Sequence, residues 1–270
     1  MTSLEDAGAA AGRWAGVGKT AMKEKPALVL PREHGVWAMF AVPYLFGVFL
    51  SGKDLLQLLA GLGLLCGFIA ANAGLVFLRQ PKLGRQVLQT MLLFGAAACL
   101  FLAYPLIRSW QAFWPLAVLA AFSSASIWFI RSKRERHFLN DLFGIAGLTM
   151  LLPVSAGLGG GAPELSLMAA MAMNVAYFTG SVFFVKSVFR EKHNPRFHRS
   201  GILYHLLLFS LPLVLNAPLL TSLIFLPGIF KMAVAARGAR LPAMTVGIIE
   251  IVNALWFLAG GYILFEKAFI

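Results

Sequence analysis

Eleven carboxylates, 23 Lys/Arg and five histidines are what this chain of 270 residues has for acid–base and ionic chemistry. Those that matter most sit in or beside long apolar runs. Glu250 lies in Thr245-Val246-Gly247-Ile248-Ile249-Glu250, with Asn253 one turn on. Arg32, Glu33 and His34 open one apolar run, while Asn72 and Arg79 lie toward the end of the next. Asn140 and Asp141 open another, Lys186 and Arg190 close one, and His205 lies early in a further one. In hydrocarbon such groups cost at least about 2.5 kcal/mol each, so they face a partner or a cavity. The arrangement points to Glu250, His34 and Glu33 as proton carriers. Arg32, Asn72, Arg79, Asp141, Lys186 and Arg190 are the candidate ligand-binding groups.

Spacing groups these residues further. Asn72 and Arg79 are seven apart, within about 20° on a helix face. Lys186 and Arg190 share a stripe with Thr179 and His193. Asn174, Tyr177 and Ser181 form a different stripe, suited to packing against a neighbouring helix through small and polar contacts. Glu250, Ala254, Phe257 and Gly261 define one face, on which a lone carboxylate invites a cation; Arg32, Arg79 and Lys186 are the candidates. Two readings stand for Lys186 and Arg190, as anion ligands or as basic side chains snorkelling to headgroups. His34 is equally readable as functional or as an acid-paired structural histidine. The five histidines show no i,i+4 pair for a metal, and haem association is the alternative use of them.

Other chemistry is excluded by pattern. No DxxD or DxxxD pair offers a carboxylate-bound two-metal site, and no Walker loop, HExxH or GxSxG is present. Gly159-Gly160-Gly161 reads as a turn. The net charge of +12 would suggest nucleic acid in a soluble protein, but here the basic residues alternate with apolar runs. They are read as topology determinants and contacts to anionic lipid, with no nucleic-acid partner. Cys66 and Cys99 both lie inside apolar runs and read as small buried hydrophobes.

The elements that must hold these groups are spanning helices. Hydrophobic residues make up 59% of the chain and charged ones 13%, about half the charged share of a soluble domain, which excludes a soluble enzyme. Runs of about 20 apolar residues fit membrane crossings, and nine are expected, near 34–51, 55–78, 87–107, 112–130, 138–158, 166–189, 201–215, 217–236 and 243–265. With the N-terminus inside, 20 of the 23 Lys/Arg fall on the inner side, and only Lys53, Arg108 and Lys267 fall outside. That bias requires an odd number of spans and puts the C-terminus out. The expected protein is all-α: a polytopic helical bundle over 31–270 as one domain, after a disordered cytoplasmic tail over 1–30. Its polar candidates gather on the inner half, which implies a cavity open to the cytoplasm above a hydrophobic floor. The oligomeric state is not readable.

The stretch Pro31-Arg32-Glu33-His34-Gly35-Val36-Trp37-Ala38-Met39, with Pro43 and Gly47, resembles the opening signature of the YwiC-like family of bacterial membrane proteins. Arg134-Glu135-Arg136 into Asn140-Asp141, Val185-Lys186-Ser187 through Arg190 to Asn194-Pro195, and the Glu250 segment fit the same resemblance. It implies a multi-pass protein of the bacterial inner membrane and carries no assigned activity. A more distant similarity is to the UbiA superfamily of intramembrane prenyltransferases, which implies nine helices, a cytoplasm-facing cavity and two Asp-rich motifs holding Mg2+ and a prenyl diphosphate. Asn72 stands where the first motif has Asn, but Ala73, Val76 and Gln80 replace its aspartates, and Lys186 and Arg190 replace the acids of the second. Lys and Arg bind an anion directly, whereas carboxylates need the metal. The resemblance therefore implies an anionic isoprenoid or lipid-type ligand held without Mg2+ or another cofactor, and a degenerate, metal-independent transferase as the enzymatic reading. The alternatives are a proton-coupled transporter of a small anion and a non-catalytic scaffold or haem-associated factor.

Overall fold

In the computed structural model, residues 28–31, 34–214, 218–238 and 241–268 are described. Residues 1–27 of the expected tail, together with Arg32 and Glu33, lie outside the described residues, as do the side chains of His34 and Lys267. Among the described residues the chain is helical throughout, with no strand. The helices are α1 His34–Leu50, α2 Leu55–Arg79, α3 Gly84–Ser109, α4 Pro115–Arg131, α5 Phe138–Thr149, α6 Leu151–Leu158, α7 Glu164–Phe189, α8 Pro195–Val214, α9 Leu219–Ala236 and α10 Ala243–Ala268. Helices α5 and α6 are two halves of one crossing, and the segments match the nine expected runs.

Six of these segments are long and apolar enough to cross a membrane by themselves. The remaining crossings, α1, α4 and α8, are shorter or more charged. The outward sides of the bundle fit lipid: Leu100 and Ile107 on α3, Leu165 on α7 and Val214 on α8 are large apolar side chains more than 70% exposed. Cys99, expected to be buried, is also exposed on α3.

Local chemistry sets the breaks. Pro153 has no N–H for the carbonyl of Thr149 and crowds it, so the fifth crossing divides at Met150. The Thr149 hydroxyl turns back to the Ile145 carbonyl at 2.8 Å. Helix α8 begins six residues before its expected start. The Asn194 side chain accepts the Phe197 N–H at 3.1 Å, and Pro195 takes the first helical position, where no donor is lost.

Helix α1 is the centre of the bundle, packed against α5, α6, α7 and α10. In lipid the driving force is close packing and hydrogen bonding rather than removal of apolar area from water, and the contacts show this. Gly47 meets α6 so closely that an added Cβ would stand 2.0 Å from Ser155 Oγ and 2.2 Å from the Leu152 carbonyl. Gly261 of α10 lies under the Phe46 ring, which packs on Phe257 at 5.2 Å.

The outer end is closed by hydrogen bonds in which Asp54 is the one carboxylate and the other groups are uncharged. Asp54 and Gln57 form a reciprocal cap at the start of α2, with Leu56 N to Asp54 Oδ1 at 2.7 Å and Asp54 N to Gln57 Oε1 at 3.0 Å. Buried Gln57 then donates to the Ser155 carbonyl at 2.9 Å and to Ser51 Oγ at 3.0 Å. Tyr44 donates its hydroxyl to the Gln57 carbonyl, Ser155 Oγ reaches the Tyr44 carbonyl at 2.7 Å, and Gly52 N meets the Gly159 carbonyl at 3.0 Å. The α2–α3 hairpin, by contrast, packs chiefly on itself. A gap is left between it and the rest of the bundle.

Candidate functional site

That gap is a cavity of about 1650 Å³. Its lining on α2 runs from Arg79 to Leu64, about 22 Å along the helix at 1.5 Å per residue. Toward the outer side the wall is apolar, with Leu64, Leu102, Leu116, Leu119 and Leu151. Toward the inner side it carries the ionisable groups. Residues 28–31, of which 28–30 belong to the expected tail, form part of the wall there, fastened by Val29 N to Thr90 Oγ1 at 3.0 Å.

Of the nine residues singled out from sequence, six have described side chains: Asn72, Arg79, Asp141, Lys186, Arg190 and Glu250. All six line this one cavity. Arg32, Glu33 and His34 cannot be placed, since they lie outside the described side chains. Gly35 and Val36, which follow His34, also line the cavity.

Pairing changes how the cations must be read. Lys186 points inward, with its Nζ 2.6 Å from Asp141 Oδ2 and donating to the Arg136 carbonyl at 2.8 Å. Arg79 Nε lies 2.7 Å from Glu135 Oε2, a pair that is partly exposed at the inner end of α2. Glu250 is buried and pairs with Lys231 of α9, Nζ to Oε1 at 2.7 Å, and neither Arg79 nor Lys186, the two expected cations with described side chains, is its partner. Lys231 also donates to Ser181 Oγ at 3.3 Å and lies over the rings of Tyr177 and Phe184, at 5.8 and 5.3 Å from the ring centroids. The Lys231–Glu250 pair, buried on both sides, is also a charge-assisted hydrogen bond, as a desolvated ion pair requires. Among the described residues lining the cavity, Arg136 and Arg190 enter no ion pair, so the mouth keeps a positive excess.

The Asn174, Tyr177 and Ser181 stripe does meet neighbours, with Tyr177 stacked on Phe257 at 4.1 Å. It also does more, since Tyr177 and Ser181 line the cavity. Lys231 and Glu135 were not among the sequence candidates. Lys231 had a visible signal, because it lies inside the run 217–236 rather than beyond it. Asn140 donates to the Glu135 carbonyl at 2.8 Å and has a buried Oδ1 with no protein partner among the described residues. Among those residues, no group of three or more His, Cys, Asp or Glu is arranged to hold a metal ion.

Comparison with known proteins agrees with the opening signature. The family described as YwiC-like protein matches residues 30–156. The Bacillus subtilis (strain 168) protein named Uncharacterized protein YwiC is 31% identical over 231 residues, covering 86% of this chain and 95% of that protein. An uncharacterized protein of Haemophilus influenzae is 28% identical over 238 residues, covering 86% of this chain and 96% of its own length. No solved structure matches the chain, so the similarity to intramembrane prenyltransferases stands on the sequence features alone. The near full-length match at 31% identity, together with the signature around residues 31–47, places this helical membrane protein in the YwiC-like family.

Proposed function

We propose that the cavity receives an anionic isoprenoid or other lipid-type amphiphile from the cytoplasmic side of the bacterial inner membrane. The observation that carries this reading is one cavity with a long apolar wall and two guanidinium groups at its inner end, Arg136 and Arg190, that enter no ion pair among the described residues. Its volume exceeds the roughly 300–1000 Å³ of sites for drug-sized ligands, which suits a chain-like tail. A phosphate or carboxylate head would meet Arg190 first, and planar guanidinium groups bind such heads in a bidentate manner without a metal. Lys186 and Arg79 act at one remove: each is already held by a carboxylate and becomes a ligand only by exchanging it. In a transferase-type step Glu250 is the proton carrier, because it is the carboxylate on the deep polar wall.

Native mass spectrometry of gently solubilised wild type and of the Lys186→Ala/Arg190→Ala variant tests this. A discrete anionic amphiphile that copurifies with wild type and is lost from the folded variant is the expected result. Bulk lipid alone in both samples would sink the proposal. The Lys231–Glu250 pair, whose carboxylate lines the cavity, favours a second reading, proton-coupled transport of a small anion. That reading predicts uptake into proteoliposomes driven by a pH gradient, with the cargo chemically unchanged.

A further inference from the structure

Behind the Lys231–Glu250 pair lies a second, much smaller cavity between α7, α8, α9 and α10. It has about 10 Å³ of space for the centre of a water molecule, about the least that one buried water needs. Four polar groups line it: the Tyr177 hydroxyl, His205, Lys231 and Asn253. Tyr177 OH and Asn253 Oδ1 are buried with no protein hydrogen-bond partner among the described residues. Lys231 has three N–H donors, of which Glu250 and Ser181 take two.

His205 is held in a slot made by glycines of two other helices. A Cβ on Gly180 would stand 2.8 Å from Nε2, and one on Gly228 would stand 2.3 Å from Cδ2 and 2.9 Å from Nε2. Its Nδ1 lies 2.8 Å from the Gly201 carbonyl one turn back. A carbonyl only accepts, so Nδ1 carries the hydrogen and Nε2 is left with the lone pair. The inventory then closes around a single water. Such a water would accept from Lys231 and Tyr177 and donate to His205 Nε2 and Asn253 Oδ1, two bonds of each kind.

We propose that His205, this water and the Lys231–Glu250 pair form a buried proton-binding site connected to the main cavity. The main cavity is lined by Glu250 and Tyr177, so a proton entering there passes along Glu250, Lys231 and the water to Nε2, and returns by the same route. The titratable groups facing His205 are Tyr177 from α7, Lys231 from α9 and, through Lys231, Glu250 from α10, with Tyr204 beside it on α8 at a ring separation of 5.9 Å. The imidazolium formed at Nε2 would sit near the Lys231 ammonium, with Glu250 the carboxylate that balances the cluster. The site does not depend on what the main cavity binds.

The test is solid-state NMR of the full chain in lipid bilayers with ¹⁵N-labelled histidine, the His205 signals being assigned by their loss in His205→Gln. At neutral pH the proposal expects the Nδ1–H tautomer with an unprotonated Nε2 and a cross-peak to slowly exchanging water. Glu250→Gln removes the balancing negative charge and is expected to move the His205 titration to lower pH by about a unit, whereas Asp141→Asn leaves it unchanged. An Nε2–H tautomer, or a His205 titration equally displaced by both substitutions or by neither, would overturn the proposal. If Glu250→Gln does not fold, the wild-type tautomer and its water contact still decide: absence of either contradicts the site.

Discussion

The two ends of this bundle solve the same problem, polar groups inside a membrane, in opposite ways. At the outer end Tyr44, Ser51, Gln57 and Ser155 are uncharged, mutually hydrogen-bonded and packed around the Gly47 crossing. At the inner end Arg79, Glu135, Asp141, Lys186, Lys231 and Glu250 are charged and paired between different elements, and all but Lys231 line a cavity. A neutral network satisfies backbone and side-chain groups without needing water or space, so helices can touch. Ion pairs need charge-assisted bonds from several elements, and the walls that carry them stand apart. The difference teaches that the outer end fixes the fold while the inner end holds the groups available to a ligand.

Substitutions can break that contrast. The largest effect is expected at Lys231→Met, which leaves the Glu250 carboxylate buried and alone. Losing one partner of a buried pair costs about 3–5 kcal/mol, to be read as a lowered unfolding midpoint in detergent. The double change Lys231→Met/Glu250→Gln should recover most of it. Next is Gly47→Ala at the outer end, where the added methyl meets the Leu152 backbone carbonyl and forces the helices apart. Overpacking of this kind costs about 1–3 kcal/mol, and reduced yield of monodisperse protein together with a lower melting temperature would report it. Gln57→Ala removes the bonds to Ser155 and Ser51 and half of the reciprocal cap, with an expected loss of about 1–2 kcal/mol. The smallest stability effect is expected at Arg190→Ala, within about 0.5 kcal/mol because the side chain is exposed. It should nonetheless lower retention of an anionic amphiphile, and a stable variant that still binds one would blunt the contrast.

Much of the fold was legible because the membrane writes it into composition. Apolar run length marked the helical segments that the structure shows. Patterns of helix breaking were legible only in part. The start of α8 needed the Asn194 cap and Pro195, local signals inside a stretch that its Arg196 and Arg199 mark as polar. That Asn72, Arg79, Asp141, Lys186, Arg190 and Glu250 lie at matching heights along their helices was also readable, since height follows from position along each run, and the structure has all six line one cavity. Their partners were not. Which cation reaches Glu250 depends on how α9 is rotated against α10, and no periodicity in either helix encodes a relation between them. Lys186 likewise looked free from sequence, because Asp141 lies at the far end of the preceding crossing, 45 residues back in the chain, and meets it only in the packed bundle. The outer polar network escaped notice for a different reason: Gln57, Ser51 and Ser155 carry no charge, and in sequence they resemble ordinary loop and helix residues.

The central claim is a cavity reached from the cytoplasmic side that holds an anionic amphiphile. It is tested most directly by a single cysteine at Ser126, which lines the cavity on α4, in a background with Cys66 and Cys99 replaced by alanine. A membrane-impermeant maleimide is applied separately to each face of oriented vesicles, with and without dodecyl phosphate. The account predicts modification from the cytoplasmic face alone, slowed by dodecyl phosphate, with the slowing lost on Arg190→Ala. Modification from the outer face, or a rate indifferent to dodecyl phosphate, would contradict it.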